Sequence, residues 1–187
     1  MAQLAPKVLV IGYGNPGRWD DGLGPALADR LAEARLPVVT VDSDYQLVVE
    51  DAAAVAECDV VVFADAAATG PGPFSFSPLR PAGGAGFSTH GVQPGEVLAL
   101  ARDLFGATAA AYVLAIRGYR FDGFGEQLSP AAGDNLDRAE RFLRGLLTGP
   151  DRGLLTDPDF HERSTPADRA RADRLPPEDR TCKTESK

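Results

Sequence analysis

Along most of the chain, unbroken apolar runs alternate with stretches whose apolar residues recur at helical spacing. KVLVIGY (7–13) is short, branched and uninterrupted, the pattern of a strand buried on both faces. GPALADRLAEA (24–34) sets Leu27 and Leu31 one turn apart behind an early Pro25 and predicts a helix. PVVTVD (37–42) predicts a second strand, QLVVEDAAAVAE (46–57) a second helix, and CDVVVFADA (58–66) a third strand. After the turn-forming TGPGP, FSFSPLR (74–80) alternates as an exposed edge strand does. PAGGAGFSTHG (81–91) is a long loop, QPGEVLALARDLFG (93–106) a helix closed by Gly106, and ATAAAYVLAIRG (107–118) a fifth strand. The last helix is SPAAGDNLDRAERFLRGLL (129–147), with Ser129 as N-cap and Pro130 at its first helical position.

This alternation predicts an α/β fold, a three-layer sandwich around a mostly parallel, twisted, five-stranded sheet. Residues 1–149 form its single domain. From 150 to 187 the chain is rich in Pro, Asp and Arg, and its scattered apolar residues cannot bury enough surface to offset chain entropy. That segment is expected to be a disordered tail whose removal leaves folding intact.

Composition narrows the function classes. A 187-residue chain that is 44% hydrophobic can fill one real core. A net charge of -8 argues against nucleic acid and anionic membrane surfaces as partners. No apolar stretch approaches the roughly 20 residues of a membrane helix, and MAQLAPK lacks the core of a secretion signal. The two cysteines, Cys58 and Cys182, are too few for a disulfide framework or a cysteine-based zinc site. Cys58 borders a strand and is expected to be buried. A cytoplasmic monomer is the expectation.

Gly12, Gly14 and Gly17 in GYGNPGRWDDGLG (12–24) spell the G-x-G-x-x-G of a dinucleotide-binding turn. In such a turn, however, the helix begins inside the motif so that its N-terminus meets the pyrophosphate. Here Pro16, Gly17, Gly22, Gly24 and Pro25 postpone helix onset to about residue 24, and Asp20 and Asp21 would repel phosphate. Asp42, ending the second strand, is the one match to a ribose-binding acid. GYGNPG is also similar to the GLGNPG turn of peptidyl-tRNA hydrolases, but their TRHN histidine is replaced here by RWDDG. The acidity of the chain also suits a tRNA ligand poorly.

In open α/β sheets, ligand sites form beyond the carboxyl ends of the parallel strands. Asp20 and Asp21 follow the first strand, Asp42 and Asp44 the second, and Asp65 the third; His90 lies in the loop after the fourth. Asp65 follows a mostly apolar strand and needs either a partner, as in a loop or helix cap, or a metal. His90 either hydrogen-bonds its glycine-rich loop or acts as a ligand. Asp20 reads as the solvated or loop-bracing member of its pair, and His161 as a tail residue with no role. Together, Asp21, Asp65 and His90 suit a borderline divalent metal with open positions.

The order of strand, G-x-G-N, D-D-G-x-G, a strand ending in A-D-A, and a Ser/Thr–His loop resembles the [NiFe] hydrogenase maturation endopeptidases over residues 7–147. STHGVQPGEVL and IRGYRFDGFGEQLSP resemble the branch serving cytoplasmic NAD-reducing hydrogenases, and DSDYQL stands where many members carry D-G-G-T. The resemblance implies a phosphorylase/hydrolase-like α/β sandwich and an aspartic-type endopeptidase. Such an enzyme trims the C-terminal extension of a hydrogenase large-subunit precursor. It implies that Asp21, Asp65 and His90 are the catalytic and metal-ligating residues, acting on nickel carried by the substrate, with no resident cofactor. A peptidyl-tRNA-hydrolase-like enzyme and a non-enzymatic metal- or nucleotide-binding module are the alternatives.

Overall fold

The apolar runs form one sheet. A computed structural model describes residues 5–82 and 92–157. Within it β1 (Val8–Tyr13), β2 (Val39–Asp44), β3 (Val60–Ala67), β4 (Phe74–Pro78) and β5 (Ala110–Arg117) lie in the order β2-β1-β3-β5-β4. β2, β1, β3 and β5 pair in parallel, and β4 runs antiparallel to β5 at the edge. β3 is the centre: Val60 to Ala64 are fully buried, as an unbroken apolar run between two helical layers requires.

Two helices cover each face. α1 (Leu23–Ala34) and α4 (Pro130–Thr148) pack on one side through stripes such as Leu23, Leu27, Leu31 and Leu136, Leu143, Leu147. α2 (Asp51–Ala56) and α3 (Pro94–Phe105) cover the other through Ala52, Val55, Val97 and Leu98. The expected three-layer α/β sandwich is therefore present. α3 begins at a reciprocal cap, in which the Gln93 amide donates to Glu96 (2.8 Å), and ends at Gly106 with φ +67°.

Three local expectations change. α2 starts at Asp51 and not at Gln46, because the Asp51 carboxylate accepts the Val48 amide (2.8 Å) and turns the chain there. Ser129 does occupy the N-cap position of α4, but its side chain makes no capping bond to the helix. The chain also stays packed beyond 149. Pro150–Thr156 form a 3-10 helix in which Leu155 is fully buried and its carbonyl accepts the Tyr112 hydroxyl (2.9 Å). Arg152 donates to the carbonyls of Pro6 (2.6 Å), Val38 (2.9 Å) and Pro37 (3.1 Å). The packed chain thus continues a few residues past 149. One buried leucine and one multidentate arginine anchor a segment whose average composition reads as tail. Residues 158–187, including His161 and Cys182, lie outside the described residues.

The direction of β4 bears on the expected site. Its carboxyl end, Pro78, pairs with Tyr112 near the start of β5, whereas its first residue, Phe74, pairs with Ile116 near the end. The chain after β4 therefore leaves from the edge of the sheet opposite to the carboxyl ends of the parallel strands. The rule that placed His90 beside Asp21 and Asp65 does not apply to an antiparallel strand, and His90 itself lies outside the described residues.

Leu155→Ala is expected to lower stability by about 2–4 kcal/mol through a buried cavity. Truncation after Gly149 is expected to lower it at least as much. Urea unfolding measures both; a truncated chain with the midpoint of the full chain would contradict the packing of this segment.

Candidate functional site

The glycines of the first loop serve close backbone crossings. A Cβ on Gly12 would stand 2.2 Å from the Gly24 carbonyl oxygen, and one on Gly24 only 2.3 Å from that of Tyr13 and 2.5 Å from that of Ala64. The start of α1 can therefore lie directly on β1 and β3. Gly14, at φ +136°, leaves room for the Asp21 carbonyl, which a Cβ would meet at 2.1 Å. The loop is thus closed against its own 3-10 turn, Trp19–Gly22, and α1 begins only at Leu23. This is not the open, helix-capped cradle of a nucleotide turn.

That turn splits the neighbouring aspartates between two roles. Asp20 is completely buried. One of its oxygens accepts the Ser129 amide (2.7 Å); the other accepts the Tyr119 amide (2.7 Å), the Arg120 amide (2.8 Å) and the Ser129 hydroxyl (2.7 Å). Burial by itself would raise its pKa, but the donors from Ser129, Tyr119 and Arg120 outweigh it and hold the carboxyl below its ordinary value. Asp20 is therefore the loop-bracing member of the pair, and it is not solvated. Asp21 is half-buried and accepts the Asn15 amide (3.2 Å).

Asp65 continues the Val61–Phe63 row of β3, on the α2/α3 face of the sheet, just beyond the last residue of β3 that pairs with β1. It accepts the Ala66 amide (2.6 Å) and the Tyr13 hydroxyl. These bonds do not offset its burial, and the nearby Asp21 charge opposes ionisation further, so its pKa rises from 3.8 to about 6. The same contact and burial push the Tyr13 phenol up. The structure thus brings Asp21 and Asp65 within electrostatic reach of each other on the carboxyl edge of the sheet. Among the described residues, no group of three His, Cys, Asp or Glu side chains stands ready for a metal.

Other candidates fall away. Asp42 is exposed, its carboxylate accepting the Ser43 amide (2.8 Å). Cys58 is half-buried and donates to the Val55 carbonyl (3.2 Å); burial pushes its thiol up to about 11, which leaves little thiolate at neutral pH. A cleft of about 740 Å³ lined by Pro6, Pro37, Leu147 and Arg152 lies at the amino ends of the strands, away from both carboxylates. Sequence reasoning did not pick out Tyr13, which sits inside an apolar run, or the partners of Asp20, which lie 99 to 109 positions away.

No protein-family model matches the sequence, and neither does any curated protein. Solved structures do. The [NiFe] hydrogenase maturation protease HycI of Thermococcus kodakarensis KOD1 superposes with a TM-score of 0.61 at 23% identity, over 78% of this chain and 96% of that one. The chain has the fold of the hydrogenase maturation proteases. The hydrogenase maturating endopeptidase HybD of E. coli matches at TM-score 0.56 and 20% identity, over 75% of this chain and 91% of that one. An uncharacterized protein from Wolinella succinogenes matches at 0.52 and 27% identity, over 75% and 96%. Each of these chains is spanned almost entirely, so the maturation-protease fold accounts for the sheet and helices that position Asp21 and Asp65.

The raised pKa of Asp65 makes it a cost to the fold. Its folded value stands above the unfolded one, so stability falls as pH rises from about 4 to about 6 and stays reduced above that. Asp65→Asn is expected to stabilise the protein at pH 7 by up to about 3 kcal/mol and to change little below pH 4. Thermal unfolding at the two pH values checks this; equal or lower stability of the variant at pH 7 would refute it.

Proposed function

We propose that this chain is an endopeptidase that removes the C-terminal extension of a [NiFe] hydrogenase large-subunit precursor. In this reading it acts on nickel that the precursor already carries. One observation carries the proposal: two carboxylates from separate segments, Asp21 and Asp65, lie within electrostatic reach on the carboxyl edge of a fold shared with hydrogenase maturation proteases. A carboxylate that burial and a like charge leave poorly stabilised gains most from a cation. Asp65 with Asp21 beside it is such a group, and His90 would supply an imidazole to the same ion.

On this reading the three side chains ligate the substrate's nickel and so fix the adjacent peptide bond against the protein. The ion, when bound, polarises the scissile carbonyl and activates water. This chain contributes the ligands and their orientation at the end of β3. Nickel arrives with the substrate, so no resident cofactor is required. The likeness of STHGVQPGEVL and IRGYRFDGFGEQLSP to the branch serving cytoplasmic NAD-reducing hydrogenases supports that class of precursor and a cytoplasmic enzyme. Among the described residues no helix is long and apolar enough to cross a membrane. The closed glycine loop gives a nucleotide-binding module no support.

Asp21→Ala, Asp65→Ala and His90→Ala are expected to remain folded. Each should lose cleavage of nickel-loaded precursor by more than the roughly 10–100-fold that outer partners of a metal site cost. The kcat/KM for cleavage should rise with pH through about 6, as Asp65 of the free enzyme ionises. Precursor without nickel should stay uncut. Mass spectrometry of the large subunit reads all of these, and full processing by the three variants, or efficient cleavage of metal-free precursor, would defeat the proposal.

A further inference from the structure

The turn that carries Asp21 is held in a conformation its own sequence does not favour. Trp19 has φ +53°, a value rare for a bulky side chain. Such residues persist only where their surroundings over-determine them, and they cluster at functional sites. The surroundings here come from the distant segment between β5 and α4. The Arg120 guanidinium lies over the Trp19 ring, 3.2 Å from its centroid, and the ring packs so closely on Gly125 that a Cβ there would meet it at 2.4 Å. The Trp19 amide donates to the Gly125 carbonyl (2.7 Å), the Gly125 amide to the Gly17 carbonyl (2.9 Å) and the Asp20 amide to the Arg120 carbonyl (3.0 Å).

Asp20 closes this clasp from inside, and Ser129 contributes to it at a cost. Ser129 stands at the N-cap position of α4, yet its hydroxyl is spent on Asp20 and makes no bond to the helix. A segment needing only to start α4 would use that hydroxyl as a cap. The consequence falls on the next residue along: Asp21 leaves the same turn and accepts the Asn15 amide (3.2 Å) within electrostatic reach of Asp65.

We propose that Asp20 is a positioning residue of the site, clasping the segment after β5 to the turn after β1 so that Asp21 is held toward Asp65. It touches neither substrate nor reacting atoms in this role. The part of the inference that concerns cleavage rests on the function proposed above; the part that concerns Asp21 does not.

Hydrogen exchange of the backbone amides in Asp20→Asn, with cleavage kinetics on nickel-loaded precursor, separates the two. The amides of Tyr119, Arg120 and Ser129 lose their acceptor in any account. The inference further predicts that the Asn15 amide, which reports the placement of Asp21, exchanges on the order of tenfold faster. It also predicts that kcat falls roughly 10–100-fold in protein that remains folded, with KM nearly unchanged. Native protection of Asn15, or native kcat in the folded variant, would overturn it as a brace of the distant segment alone. If wild-type protein does not cleave the precursor, the proposed function fails and the Asn15 amide still decides this inference. Should Asp20→Asn not fold, Ser129→Ala removes one of the four bonds and leaves the three amides in place. A few-fold faster Asn15 exchange is then expected, and exchange at the wild-type rate would overturn the inference.

Discussion

A carboxylate taken out of water must be compensated, and this fold compensates two of them unequally. Asp20 receives three backbone amides and a hydroxyl, enough to keep it ionised although no solvent reaches it. Asp65 receives one adjacent amide and a phenol, with the negative charge of Asp21 close by. The first arrangement stabilises loops; the second leaves a carboxylate short of positive charge. Where neighbouring acids are driven apart in this way, the under-compensated one is the group prepared to hold a proton near neutral pH.

The glycine framework sets the stage for that inequality. Gly12 and Gly24 let α1 begin in backbone contact with β1 and β3, and Gly14 lets the loop fold back on the Asp21 carbonyl. The turn between them is consequently short and tightly placed, with one aspartate directed into the protein and the next toward the sheet edge. β3 then extends past the end of its pairing with β1, which sets Asp65 where the first loop departs. Local backbone economy and the electrostatics of the site are therefore one construction.

Much of this was legible in the sequence, for identifiable reasons. Unbroken runs such as VVVFA and stripes such as Leu27–Leu31 carry their periodicity locally, so the strands, the layers and the edge position of FSFSP could be read directly. The delayed onset of α1 followed from its prolines and glycines. What was not legible depends on partners far along the chain. The burial of Asp20 is settled by amides about a hundred residues later, and the hydroxyl of Ser129 is diverted from the cap its sequence suggests. Residues 150–156 pack because Arg152 finds three carbonyls and Leu155 a gap in the core, neither of which average composition reveals. The antiparallel course of β4 was equally hidden, since alternation fixes a strand's faces and not its direction.

Carbon-13 titration of the aspartate carboxyl groups tests the inequality most directly. Asp65 is expected to titrate near 6, while Asp20 remains ionised below the ordinary carboxylate value. An Asp65 signal that titrates at or below 3.8 would contradict it, because the carboxylate would then be fully compensated and have no need of a cation.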